Sequence, residues 1–209
     1  TRLLPDFLSK TLGFFRDPLV AWVQTPQWFF DLHPGVKPSQ FGAAYFGKVG
    51  KLIGLCLEKI FKMDKVMADP LYSDSTTFFD LILRRRNAHN ASFCCGAASI
   101  HRREALYEVA VEYYTSQLNH KEQNQNNHIF SPFKFHISED IYTSSMIHAA
   151  KKKKWKSIFY PEILSKMLSP QDFQARYNQL YRYASGTLDF TFKELLLKKS
   201  GMTTAQKLT

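Results

Sequence analysis

Residues 19–27 read LVAWVQTPQ. The first six form a compact apolar run rich in β-branched and aromatic side chains. It is too short for an ordinary helix and predicts a buried strand. Thr25-Pro26 ends it, because proline has no N–H to give a neighbouring strand. Working outward, 91–95 (ASFCC) predicts a second short buried strand and 155–160 (WKSIFY) a third. Helical periodicity fills the gaps: 75–83, with Asp74 or Ser75 as cap, then 102–118, then 139–152 after Ser138. Pro5-Asp6 opens a short amphipathic helix over 5–15, and Pro170 opens another carrying Phe173, Tyr177, Leu180, Tyr181 and Ala184. Alternating strands and helices predict an α/β sheet domain.

Residues 31–40, with Pro34, Gly35 and Pro38, read as a loop. The next stretch, 41–65, places Phe41, Ala44, Tyr45, Val49, Leu52, Ile53, Cys56, Ile60 and Phe61 at helical spacing. Lys48, Lys51, Lys59 and Lys62 lie between them. It predicts a basic amphipathic helix, broken or frayed near Gly47, Gly50 and Gly54. Two readings stand: a helix packed on the core, or one touching a membrane surface. The run 119–127 (NHKEQNQNN) reads as a polar loop.

With 209 residues, 44% of them hydrophobic, the chain can bury one sizeable core and is no disordered tail. Aromatic residues make up 15%, which serves a core, sugar stacking or membrane anchoring alike. A net charge of +10 favours anionic partners. The runs at 84–86 and 151–154 read first as solvated faces, next as membrane-facing, and last as nucleic-acid-binding, since no reading motif accompanies them. Three cysteines, an odd number, exclude a disulfide framework and suit a reducing compartment. Cys94 and Cys95 read as small buried residues, and neither pairs with His101, His120, His128, His136 or His148 at zinc-like spacing. There is no phosphate-binding P-loop and no apolar run long enough to span a bilayer.

Four segments carry the chemistry: VQTPQ at 23–27; FCCGA at 93–97 with RREAL at 102–106; SED at 138–140; and QLYRY at 179–183. Each alone has an ordinary explanation. A Ser-Glu-Asp triplet caps a helix, FCCG sits in a core, and QLYRY is a helix with exposed polar residues.

In this order and spacing the segments resemble processive family 2 glycosyltransferases of the cellulose-synthase type, over residues 5–189. The matching region is the C-terminal part of the cytoplasmic domain of the bacterial catalytic subunit. The resemblance implies an α/β, partial GT-A (nucleotide-diphospho-sugar transferase) fold over 1–168, a mixed sheet flanked by helices. Residues 169–209 would form an amphipathic interface helix and membrane-proximal segment. It implies transfer of a sugar, expected to be glucose, from a UDP-sugar to a growing β-glycan with inversion. Asp140 would be the catalytic base with Glu139 beside it. Gln179 and Arg182 would contact the diphosphate and acceptor, and Phe93, Cys95 and Gly96 would line the acceptor channel. Tyr183 stands where the family has a tryptophan under the acceptor sugar, and Ser138 where it has threonine.

The family also holds Mg²⁺ or Mn²⁺ on an upstream D-x-D motif, whose second aspartate would fall immediately before Thr1. No metal is therefore expected on this chain, its nucleotide-binding half is expected to be missing, and it alone is expected to be inactive. Expected partners are a UDP-sugar, a glycan acceptor, the inner membrane surface and accessory subunits, without nucleic acid. The expected location is the cytoplasmic face of a bacterial inner membrane. The rival reading is a non-catalytic membrane-surface or scaffold module that keeps the fold. The 65 residues between VQTPQ and FCCG, and the long approach to SED, point to a branch with its own insertions.

Overall fold

The computed structural model describes residues 1–33, 35–66, 75–121, 138–150, 152–194 and 201–208. In chain order these form β1 (Arg2–Leu3), α1 (Phe7–Thr11), β2 (Val20–Gln24), β3 (Gln27–Phe29), α2 (Pro38–Ile60), α3 (Arg84–Asn87), β4 (Ser99–His101) and α4 (Arg103–Lys121). There follow α5 (Glu139–Ala149), β5 (Lys156–Phe159), β6 (Ser165–Met167), α6 (Phe173–Glu194) and α7 (Thr204–Leu208). A 3₁₀ turn, Leu12–Arg16, extends α1, and a π-helical segment, Thr77–Leu83, leads into α3.

The α/β class holds, with two mixed three-stranded sheets where one was predicted. The run at 19–24 forms β2, wholly buried, between antiparallel β4 and parallel β5. In the second sheet β6 is central, antiparallel to β1 and parallel to β3. Thr25-Pro26 thus does more than end a strand: it is the corner where the chain leaves one sheet for the other. The fully buried Trp22 and Trp155 centre the main core with Ala21, Cys94, Ala105, Ile147 and Ala150. An aromatic ring buries about 150–250 Å², which at about 25 cal/mol per Å² is roughly 4–6 kcal/mol of gross stabilisation per ring. Arg102 fastens the start of α4 to β2. Its guanidinium donates to the carbonyls of Val20 (2.8 Å), Phe15 (2.8 Å) and Asp17 (2.9 Å). The side chains of Asn87 and Asn90 accept the N–H groups of Phe159 and Ser157, both at 2.7 Å, covering the outer edge of β5.

One expectation is corrected and two are sharpened. Residues 91–95 form no strand, because their backbone groups are bonded to side chains, as described below. The strand that pairs with β2 is instead Ser99–His101. The helix expected at 75–83 is present and is π-helical over Thr77–Leu83, with Phe79 and Leu83 packed in one cluster with Phe159. The helix expected over 41–65 does break at Gly47, and its two limbs form a hairpin. At Gly47 (φ +60°) α2 folds back, and Gly42 meets Gly50 while Gly54 meets the Pro38 carbonyl, each too close for a Cβ. The hairpin base is closed by paired backbone bonds between Val36 and Val66 (3.0 and 2.8 Å). The polar loop expected at 119–127 begins within α4 and otherwise lies outside the described residues.

Candidate functional site

The loop 93–97 is held from two sides. From β2, the buried Gln24 accepts the Cys95 N–H on Oε1 (2.8 Å) and donates from Nε2 to the Ala97 carbonyl (2.9 Å). Gln27 donates to the carbonyls of Cys95 (3.0 Å) and Ala97 (3.2 Å). From α5, Ser144 accepts the Cys94 N–H (2.8 Å) and donates to the Asp140 carbonyl (2.7 Å). These bonds replace a strand's ladder, which is why an apolar, β-prone run stays irregular. Gly96 (φ +73°) turns the loop so that a Cβ there would lie 3.6 Å from Asp140 Oδ2. Glycine thus leaves the backbone open beside the carboxylate.

Ser138 and Glu139 open α5, so the acidic pair stands in its first turn, where carboxylates complement the helix dipole. Glu139 is exposed and Asp140 half-buried. Burial pushes the Asp140 carboxyl above its ordinary range, and the Glu139 charge adds to this. The Ile141 N–H, which donates to Asp140 Oδ1 at 2.8 Å, and the positive charge of Arg182 pull the other way. A carboxylate with a raised pKa that keeps its hydrogen bond is a stronger proton acceptor than a solvated one.

α6 closes the site. Gly186 lies against Ser138, where a Cβ would overlap the hydroxyl, and Phe190 is buried edge-on against Tyr142 of α5. Arg176, Gln179, Leu180, Arg182 and Tyr183 of this helix line the same cleft as Glu139 and Asp140. Arg176 donates to Gln179 Oε1 (2.9 Å), and the Arg182 guanidinium carbon stands 5.8 Å from the Tyr183 ring centre. Of the six aromatic residues 173, 177, 181, 183, 190 and 192, just Phe190 is buried; the other rings are exposed.

The result is a cleft of about 570 Å³. Among its walls are Phe93, Cys95, Glu139, Asp140, Gln179, Arg182 and Tyr183, so the structure gathers these sequence-predicted residues in one place. Gly96 adjoins it beside Asp140. Sequence reasoning named no role for Gln24, Ser144, or the π-helical Phe78 and Phe79, which form an apolar wall with Phe93. A glutamine inside an apolar strand was the available signal for the first. The thiols are poor nucleophile candidates: burial raises Cys94 to about 11 and lifts Cys95 well above its ordinary value. Among the described residues no three His, Cys, Asp or Glu side chains gather as a metal site would require. No described helix is long and apolar enough to cross a membrane.

Residues 66–207, more than half of the chain, match the family described as glycosyl transferase family group 2. The chain is 23% identical, over 88% of its length, to a UDP-forming cellulose synthase catalytic subunit of Dictyostelium discoideum, and spans 13% of that protein. It is 31% identical, over 53% of its length, to the UDP-forming cellulose synthase catalytic subunit of Pseudomonas fluorescens, and spans 12% of it.

Proposed function

The chain belongs to glycosyl transferase family group 2, and from that premise we propose that it forms the acceptor-side half of a sugar-transfer site. The reaction moves a glycosyl group, glucose in our reading, from a UDP-sugar to the end of a β-glycan with inversion. The observation that carries the proposal is the shared cleft of Asp140, Arg182 and Tyr183.

In the transfer step the acceptor hydroxyl attacks the anomeric carbon. The bond to the diphosphate oxygen breaks from the opposite face, and Asp140 takes the hydroxyl proton. Glu139 keeps the local field negative, which favours the proton on Asp140. Arg182 offers a planar pair of donors to the departing diphosphate, and Gln179 adds hydrogen-bonding capacity one helical turn away. Tyr183 provides a ring face for the acceptor sugar, with Phe93, Cys95 and the open backbone at Gly96 beside it. A Mg²⁺ or Mn²⁺ ion on the diphosphate belongs to the same reading, but the described residues offer no set of ligands that fits one.

We place the transferase fold in residues 1–168 and a helix that closes the site in 169–209. The setting we propose is the cytoplasmic surface of a membrane, with UDP-sugar, glycan and accessory subunits as partners. Asp140→Asn in the longer protein that contains this chain should lower polymer formation roughly 10²–10⁴-fold and leave UDP-sugar binding unchanged. Normal polymer formation by that variant would reject Asp140 as the base and favour a non-catalytic module instead.

A further inference from the structure

The helical hairpin of α2 takes no part in the cleft. Its two ends meet at the Val36–Val66 bridge, so it projects as an arm that starts and finishes at one point of the fold. Inside the arm the contact is made by Gly42, Gly50 and Gly54, which are buried. Glycine contacts leave no room for large side chains between the limbs, so the large apolar side chains must point outward. Tyr45 and Phe46 at the tip, and Val49, Leu52, Ile53 and Ile60 along the returning limb, are all more than half exposed.

Their arrangement is not random. At about 100° per residue, Val49, Leu52, Ile53, Cys56 and Ile60 fall on one side of the limb 48–60. Lys48, Lys51 and Lys59 fall on the adjoining side, and Lys62 follows; all four are exposed. Glu58 is the one carboxylate in 38–60, and it is engaged inside the arm, accepting the Ser39 N–H at 2.9 Å. The outer surface thus offers an apolar stripe bordered by exposed lysines that outnumber the two carboxylates of 38–65, Glu58 and Asp64. Apolar side chains in the acyl boundary with lysines reaching anionic headgroups satisfy both halves of that pattern. A hydrophobic protein partner would account for the stripe and leave the lysine border unexplained.

We propose that this hairpin is a membrane-surface arm, lying in the headgroup layer of an anionic bilayer with Leu52, Ile53 and Ile60 inserted and the lysines on phosphate and carboxylate groups. The inference stands on the hairpin alone and does not need the transferase reading.

The test is flotation of the chain with vesicles of phosphatidylcholine containing phosphatidylserine, against vesicles of phosphatidylcholine alone. Cys56 is exposed whereas Cys94 is buried and Cys95 half-buried, so a thiol-reactive, polarity-sensitive fluorophore reports on the stripe itself. The expected result is binding at least roughly tenfold tighter to the anionic vesicles, weakened by salt, with a blue shift at Cys56. Both signals should vanish in Leu52→Glu/Ile53→Glu, whose positions are exposed, with circular dichroism unchanged. The idea is overturned by equal binding to neutral vesicles, by no binding to either, or by binding that survives the double substitution. It is also overturned by a dimer that the double substitution abolishes, since the stripe would then cover a second copy. None of these readouts depends on sugar transfer, so this idea and the proposed catalysis fail separately.

Discussion

Gly186 of α6 packs directly on Ser138, and a Cβ at 186 would overlap the Ser138 hydroxyl. The helix that carries Arg182 and the turn that presents Asp140 therefore meet with nothing larger than a hydrogen between them. Gly186 and Ser138 are both buried, so the contact has no solvent side on which to relax.

Gly186→Ala should loosen this joint. Overpacking a tight contact typically costs about 1–3 kcal/mol. Removing the opposing hydroxyl should relieve it, so Ser138→Ala/Gly186→Ala should recover part of the loss. Urea denaturation of the two single variants and the double measures the coupling. Strict additivity would show that the two positions do not press on each other.

The raised Asp140 pKa has a stability consequence opposite in sign to that of an ion-paired carboxylate such as Asp17, which Lys156 holds below its ordinary value. The native state keeps the Asp140 proton longer than the unfolded chain does. Its contribution is full below the unfolded carboxylate pKa of about 3.9 and is lost as pH rises through the higher native value. Asp140→Asn keeps the oxygen that accepts the Ile141 N–H and removes the titration. That variant should match the parent near pH 3.5 in unfolding midpoint and exceed it at pH 7. Loss of stability at pH 7 would mean that the charged form is stabilised in place.

Much of this architecture is legible because it rests on local pattern. The run at 19–24 reads as a strand, since a short apolar run before Thr-Pro has few other uses, and it is the middle strand of its sheet. The alternation of elements points to the class. The failures share a cause: side-chain bonds and backbone contacts from distant residues. Residues 91–95 have strand composition, but Gln24, Gln27 and Ser144, remote in sequence, take their backbone groups. The break at Gly47 is legible in the sequence, but the fold-back of the two limbs is not, because pattern analysis sees glycine as weakness. Here Gly42, Gly50 and Gly54 are where two limbs touch. At the cleft, the resemblance of the ordered motifs to family 2 glycosyltransferases points to Asp140, Arg182 and Tyr183, whereas the aromatic wall from the π-helix has no sequence signature, because π-turns shift side chains out of the 3.6-residue period.

Gln24 is fully buried, and its amide serves the loop on both of its polar atoms. Gln24→Leu leaves the Cys95 N–H and the Ala97 carbonyl without that partner. An unsatisfied buried group costs about 1–3 kcal/mol, so the loss should exceed that for the half-buried Gln27→Leu. The loosened loop should also expose Cys95, giving faster reaction with a thiol reagent in the native state. An unchanged thiol rate would show that the loop is held without Gln24.

Tyr183 presents its ring to the cleft, half exposed, with Arg182 beside it. A stacked ring contributes about 0.5–1.5 kcal/mol beyond its area, so Tyr183→Ala should raise the acceptor KM roughly 2–10-fold in the longer protein. Tyr183→Trp, with a larger face, should preserve or lower it. Equal effects of Ala and Trp would remove the ring from the acceptor site.

His148 tests the core rather than the cleft. Its ring lies 4.7 Å from that of Trp22, it is buried, and its Nε2 has no hydrogen-bond partner among the described residues. Burial holds its pKa down at about 3, with the Arg86 charge as a smaller contribution. A depressed value means that the unfolded chain takes up the proton first. The stabilisation is complete above the unfolded value of about 6.5 and declines as pH falls toward 3. His148→Leu removes that titration while keeping an apolar group of similar volume, so stability at pH 7.5 should change by less than about 1.5 kcal/mol. The fall in unfolding midpoint between pH 7.5 and pH 4.5 should then be visibly smaller than in the parent. An identical acid slope in both proteins would show that His148 is already solvated in the native state, and that the packing around Trp22 is more open than its full burial indicates.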